Sequence, residues 1–260
     1  MARGMHLAKP PADPAKQVSP RTLKAVVRPL LQVVVVTPGD VKGAIAGGAD
    51  RLEVLAHPEV GGLTPDPSMV AAFREASTVP IRVRLRLRED YGSDGGELAR
   101  LIGLAQTLRD EGVDGFTFGF VSPDLDVDVS LTRALGDSLG GAPWTFHRAI
   151  DQVLDRRRGY YALRGLRGLD SILTAGSARG MEFGVDELCH EATDEPALAA
   201  MLIAGGGLRP EDVPWLARAG VRAFHVGSSV RPGRSSKAYV DAGLVRSWRT
   251  LVDDSVAAAL

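Results

Sequence analysis

Past Leu30 the chain alternates without a break between short apolar runs and longer stretches with helical spacing, and it does so eight times. Val33 to Val36 is a continuous β-branched run, the pattern of a strand covered on both faces. Further strands are expected at Arg51–Leu55, Ile81–Leu87, Gly115–Val121, Trp144–Arg148, Ser171–Thr174, Met201–Ala204 and Ala223–Val226. The segments between them read as helices. Clearest is Ser93–Glu111, with Leu98, Leu101, Ile102, Ala105 and Leu108 at helical spacing; the last is expected at Ala242–Ala257. Gly48-Ala49-Asp50, Gly112-Val113-Asp114 and Gly220-Val221-Arg222 each close a helix with glycine and turn into a strand. Eight such pairs favour a closed (β/α)₈ barrel of the TIM type over an open sheet. No Gly-x-Gly-x-x-Gly follows the first strand, which argues against a dinucleotide-binding sheet.

The expected organisation is one barrel domain over residues 30–260 behind a flexible tail over residues 1–29. In that tail Pro10, Pro11, Pro14, Pro20 and Pro29 are mixed with Lys, Arg and Ala, and no signal-peptide apolar core precedes Val26. A formal net charge of −1 gives no support for nucleic-acid binding. No apolar run is long enough to span a membrane. The one cysteine, Cys189, excludes an intramolecular disulfide and points to a reducing, cytoplasmic setting.

In a TIM-type barrel the chemistry sits where strands end. His147 and Arg148 arrive at the end of the fifth expected strand, with Asp151 three residues on. As chemistry, His147 would transfer a proton, Arg148 would hold an oxyanion and Asp151 would orient them. As structure, Arg148 and Asp151 would form a rim ion pair around an interior His147. Arg82, Arg84, Arg86 and Arg88 alternate with apolar residues and so share one strand face. Inside a barrel such arginines need anionic partners, and Glu53 on the second strand is a candidate. The same pattern admits an internal ion-pair network, or a clamp in which Arg86 and Arg88 hold a substrate carboxylate or phosphate. Gly205-Gly206-Gly207 follows the seventh strand and Gly227-Ser228-Ser229 the eighth, where barrels often bind phosphate; tight turns explain the glycines equally.

Several of these segments resemble the signatures of the CutC family, named for copper homeostasis. Gly48 to Glu53 followed by Gly61-Gly62-Leu63-Thr64-Pro65 resembles its first signature, and Thr145-Phe146-His147-Arg148-Ala149-Ile150-Asp151 its second. Leu173 to Gly176, Gly205 to Gly207 and Phe224-His225 resemble later ones, so the likeness runs from about Leu31 to about Ser228. The resemblance implies a TIM-type barrel, a cytoplasmic setting and copper binding. The places where the family often has cysteine hold Val35 or its neighbours, Leu55 and Val226, and Gln32 stands where it usually has an acid. The third strand runs into Leu85-Arg86-Leu87-Arg88-Glu89-Asp90-Tyr91, where the family usually has Ile-Arg-Pro-Arg-Gly-Gly-Asp-Phe.

Cu(I) prefers thiolates, so a thiol site is not expected here; His147 and His225 are the candidate ligands for Cu(II) or Zn(II), with oxygen from Glu53 or Asp151. Three readings stay open. One is a copper-binding CutC-like protein. The second is an enzyme of lyase, isomerase or hydrolase type acting on an anionic or phosphorylated small molecule, with His147, Glu53, Asp151 and Arg148 at the reaction and Arg86, Arg88, Gly205, Gly206, Gly207, Gly227 and Ser228 on the substrate. The third is a non-catalytic anion-binding barrel. A homodimer is compatible with the apolar helix positions.

Overall fold

A computed structural model describes Met1 and residues 28–260. Apart from Met1, Arg28 and Pro29, the tail expected over residues 1–29 lies outside the described residues. Eight parallel strands close in sequence order: β1 (Leu30–Val35), β2 (Arg51–Val54), β3 (Ile81–Arg84), β4 (Gly115–Phe118), β5 (Trp144–Phe146), β6 (Leu169–Thr174), β7 (Leu202–Ala204) and β8 (Ala223–Val226). β8 pairs back onto β1, with Gln32 opposite His225, so no edge remains.

Around them run α1 (Pro38–Gly47), α2 (Pro67–Ala76), α3 (Gly95–Asp110), α4 (Val129–Ser138), α5 (Arg156–Leu163), α6 (Met181–Asp194), α7 (Pro196–Ala199), α8 (Val213–Arg218) and α9 (Ala242–Ala257). This is the (β/α)₈ architecture read from the alternation. Gly48 ends α1 at φ 100°, a left-handed conformation that a side chain would strain. The acids that follow two such helix ends lock the turn: Asp50 accepts the Leu31 N–H and Asp114 the Ile81 N–H, each at 2.8 Å.

The two faces of the strands divide by chemistry. Leu31, Val33, Leu52, Val54, Ile81, Val83, Phe116, Phe118, Trp144, Phe146 and Phe224 face outward into one apolar core shared with the helices. Trp144 stacks on Phe118 with ring centroids 4.3 Å apart. The alternate residues Gln32, Glu53, Arg82, Arg84, Thr145 and His225 turn inward and bond to one another. Barrel lumens are commonly filled by branched apolar side chains; this one holds a charged network.

Three strands stop two or three residues earlier than the apolar pattern suggests. β3 ends at Arg84 rather than Leu87, β4 at Phe118 rather than Val121, and β5 at Phe146 rather than Arg148. The residues beyond keep their alternation but leave the ladder for loop bonds. Thr64 Oγ1, for instance, accepts the Arg86 N–H at 2.8 Å, and residues Arg148–Gln152 wind into a 3₁₀ turn.

Candidate functional site

A cavity of about 350 Å³ opens at the C-terminal mouth of the barrel. Its floor is Arg84, Leu173 and His225; its walls include Tyr91, Arg148, Gly206, Gly207, Gly227, Ser228 and Ser229; Arg231, Arg234 and Ser236 close one side.

Beneath the floor lies Glu53, fully buried. One of its carboxylate oxygens accepts Arg84 Nε at 3.0 Å and Arg84 Nη2 at 2.7 Å. The other lies 3.4 Å from both Gln32 Nε2 and His225 Nδ1. Burial, the largest single effect, would raise the Glu53 pKa, but Arg84, His225 and Arg51 together outweigh it and hold the group below the usual carboxylate range. The Gln32 amide, assigned with Oε1 toward Arg51 (Nε at 2.5 Å), places its Nε2 2.9 Å from His225 Nδ1. In that arrangement Nδ1 accepts and the proton sits on Nε2. Burial lowers the His225 pKa to about 4 despite Glu53, so the imidazole is neutral at pH 7. His225 and Arg84 are the parts of this network that reach the cavity.

Arg148 is set by Asp151. Its Nε donates to Asp151 at 2.7 Å, and its Nη2 to the Ser177 carbonyl at 3.2 Å. Asp151 also accepts from Thr174 Oγ1 at 2.6 Å and from the Ala175 N–H at 3.0 Å. With both oxygens engaged, Asp151 acts as a positioning group for Arg148; burial pushes its pKa up against the pull of Arg148. Gly206 is required here. A Cβ on it would come within 2.5 Å of Arg148 Nε, at a φ of 85°. Gly205 lies against the His225 and Leu173 side chains rather than lining the cavity.

Opposite, Arg231 forks onto Asp40, with Nη1 at 3.0 Å and Nη2 at 2.7 Å. Asp40 also accepts the Val240 N–H at 3.0 Å, which pinches the loop of residues 231–240 shut at its base. Arg234, on that loop, has no acidic partner among the described residues. Glu53, Asp151 and Asp40 are thus each buried behind the arginine they hold, and none of them lines the cavity.

The expected arginine clamp is placed differently. Arg86 is buried away from the cavity, its guanidinium bonded to the carbonyls of Val60, Gly62, Glu89 and Asp90 and stacked on Tyr91 at 4.4 Å. Arg88 is exposed and pairs with Asp90 at 2.7 Å. Neither lines the cavity. The early end of β3 makes Arg84 the last barrel residue and turns Arg86 into a loop brace. Arg82 pairs with Asp170 and with Thr145 Oγ1 on the other side of Glu53. His147 is fully buried and outside the cavity lining, while Gly206, Gly207, Gly227 and Ser228 line it as expected.

Sequence reasoning passed over Tyr91, Arg231 and Arg234. The run Gly227-Ser228-Ser229-Val230-Arg231-Pro232-Gly233-Arg234 past β8, two arginines among turn residues, was the available signal for the last two.

The donor set does not suit copper held by thiolates. Cys189 sits on α6, outside the barrel, where burial pushes its thiol up to about 11. Among the described residues no three His, Cys, Asp or Glu side chains converge as a metal cluster. No helix among them is long and apolar enough to cross a membrane.

Fold and cavity define a TIM-type barrel with an arginine-lined pocket at the C-terminal ends of its strands. The chain belongs to the CutC family, whose model matches residues 30–230. It is 33% identical over 181 residues to the family protein CutC of Klebsiella pneumoniae, covering 68% of this chain and 71% of the relative. It is 32% identical over 202 residues to that of Caulobacter vibrioides, covering 76% and 80%. In fold it is similar to CutC of Streptococcus agalactiae, with a TM-score of 0.69 and 19% identity over 76% of this chain and 98% of that one.

Proposed function

We propose that this protein binds a small anionic molecule, of which a phosphate monoester is the best-fitting class, and moves a proton on it. The observation that carries the reading is the backing of the cavity arginines. Arg84, Arg148 and Arg231 face the cavity while their carboxylates lie behind them, which fixes three guanidinium edges without placing an acid in the ligand's way. Arg234 adds a cation with no acid attached among the described residues, and Gly206, Gly207, Gly227, Ser228 and Ser229 form loops a phosphate can approach closely.

His225 is the proton-handling group in this reading. To accept a proton His225 must present a bare Nε2, which requires the tautomer with its proton on Nδ1; Glu53, 3.4 Å from Nδ1, would hold that proton and stabilise the imidazolium as it forms. Glu53 therefore acts through His225, and Asp151 through Arg148. The chemistry fits a lyase or isomerase that removes a proton from carbon or oxygen of a bound anion. The lone cysteine supports a reducing, cytoplasmic setting, and exposed Trp215 and Tyr239 offer the apolar surface a homodimer would use.

Copper binding, the role the family name carries, has two imidazoles to draw on, His147 and His225. The Nδ1 atoms of both are engaged inside the protein.

Calorimetric titration with inorganic phosphate and a panel of phosphate monoesters tests the reading, with Arg148→Ala and Arg234→Ala as variants. Saturable binding weakened in both variants is expected. Absence of binding by every anion, together with tight one-to-one copper binding lost in His225→Ala, would overturn it.

A further inference from the structure

His147 is the one histidine of the barrel interior that the mechanism above leaves unused. It is fully buried, and its ring meets those of Tyr91 and Phe146 edge-on. Its backbone N–H donates to the Phe118 carbonyl at 3.0 Å, and its Nδ1 accepts the Ala149 N–H at 3.3 Å. An accepting Nδ1 leaves the proton on Nε2. That Nε2–H is buried and has no acceptor among the described residues. Buried donors are nearly always paired, so an orphan of this kind marks a place where a partner belongs.

What surrounds it says which partner. Burial first, then Arg84 and Arg86, keep the imidazole neutral, with Arg148 adding to the effect. A neutral imidazole among three guanidinium groups is a hydrogen-bond donor in a positive field, suited to an oxygen that carries or develops negative charge. Arg84 and Arg148 also line the cavity, so the group that would fill this field comes from there.

The Tyr91 side chain stands between them. It lines the cavity on one side, and on the other its ring meets that of His147 edge-on with centroids 5.2 Å apart. Its backbone is held, since the Tyr91 carbonyl accepts the Val121 N–H at 2.9 Å, but the ring is only partly buried and its main hold is the stack on Arg86.

We propose that His147 is a second ligand-binding group of this site, donating from Nε2–H to an anionic oxygen of the bound molecule once the Tyr91 ring turns aside. The proposal rests on the anion-binding reading above and goes beyond it. The ligand then carries two oxygen-bearing ends, one at the Gly227–Ser229 loop and Arg234, the other under Tyr91. His225 and His147 divide the work, His225 taking a proton and His147 stabilising the oxyanion that results.

Carbethoxylation by diethyl pyrocarbonate, mapped by peptide mass spectrometry, tests this in the folded full chain. The exposed His57 and His190 serve as internal standards. In the wild-type protein and in Tyr91→Phe, His147 is expected to stay protected. In Tyr91→Ala its rate, relative to His57, is expected to rise at least about tenfold as the local barrier to access is removed. Saturating 2-phosphoglycolate, whose phosphate and carboxylate supply the two ends, is then expected to slow it again. If circular dichroism shows Tyr91→Ala unfolded, Tyr91→Leu takes its place. Protection of His147 undiminished in a folded variant overturns the proposal. Phosphoglycolate that shields His225 but leaves His147 reactive overturns it while sparing the anion-binding site, and phosphoglycolate that shields neither overturns both.

Discussion

Arg84 puts two hydrogen bonds on a single carboxylate oxygen of Glu53, across two neighbouring strands and inside a closed barrel. This pair organises the polar lumen: it keeps Glu53 ionised next to His225 and aims Arg84 at the cavity. Glu53, fully buried beneath the cavity floor, has no water to turn to and depends on Arg84.

Removing one member therefore leaves a buried charge. Glu53→Ala is expected to destabilise the protein by about 3–5 kcal/mol, because Arg84 keeps its charge without a counter-ion. Glu53→Gln, which keeps shape and acceptor, should cost less. Urea unfolding followed by circular dichroism measures both.

Stability should fall as pH drops below neutrality. The folded pKa of His225 is about 4 against an ordinary 6.5, so between those values the unfolded chain binds a proton that the folded chain does not. Its contribution is whole above about pH 6.5 and is lost progressively toward pH 4. Glu53, whose folded pKa is depressed, contributes stability above the ordinary carboxylate range and loses it as pH falls through its folded pKa. Both act in the same direction, as does His147. His225→Asn is expected to reduce the slope of stability between pH 6 and pH 4 by up to about 1.4 kcal/mol per pH unit; an unchanged slope would contradict it.

Gly206→Ala should damage the site more than the fold. A left-handed alanine costs about 1–2 kcal/mol, and its methyl group displaces the Arg148 guanidinium. Phosphate affinity is expected to fall by about tenfold, ~1.4 kcal/mol, in calorimetric titration. Gly207, where a Cβ would meet nothing, is the comparison: Gly207→Ala carries the backbone strain without the collision.

The Cys189 thiol, half-buried with a pKa near 11, should react with Ellman's reagent at pH 7 far more slowly than a free thiol. Cys189→Ser should leave any copper stoichiometry unchanged.

The barrel was legible because it is written in local patterns. Residues Ala223–Val226 and Ala242–Ala257 have the same bounds in sequence and structure, and the Gly-x-Asp turns at residues 48–50 and 112–114 do in space what their composition suggests. Four-residue α7 was not legible: Pro196–Ala199 is too short for a period. Nor were the ends of β3, β4 and β5. Alternation in Leu85-Arg86-Leu87-Arg88 continues past the point where the ladder stops, and only the Thr64 and Gly62 contacts show that Arg86 has left the barrel.

The sequence by itself determined the barrel and the number and order of its strands. Those follow from periodicity and turn chemistry, which act over a few residues. Tertiary structure alone decided which arginine does what. Arg82, Arg84, Arg86 and Arg88 are equivalent in pattern, yet one meets Asp170, one Glu53, one a set of loop carbonyls and one solvent beside Asp90. A guanidinium takes the role of whatever acceptors surround it, and those acceptors come from segments distant in sequence that only closure of the barrel brings together.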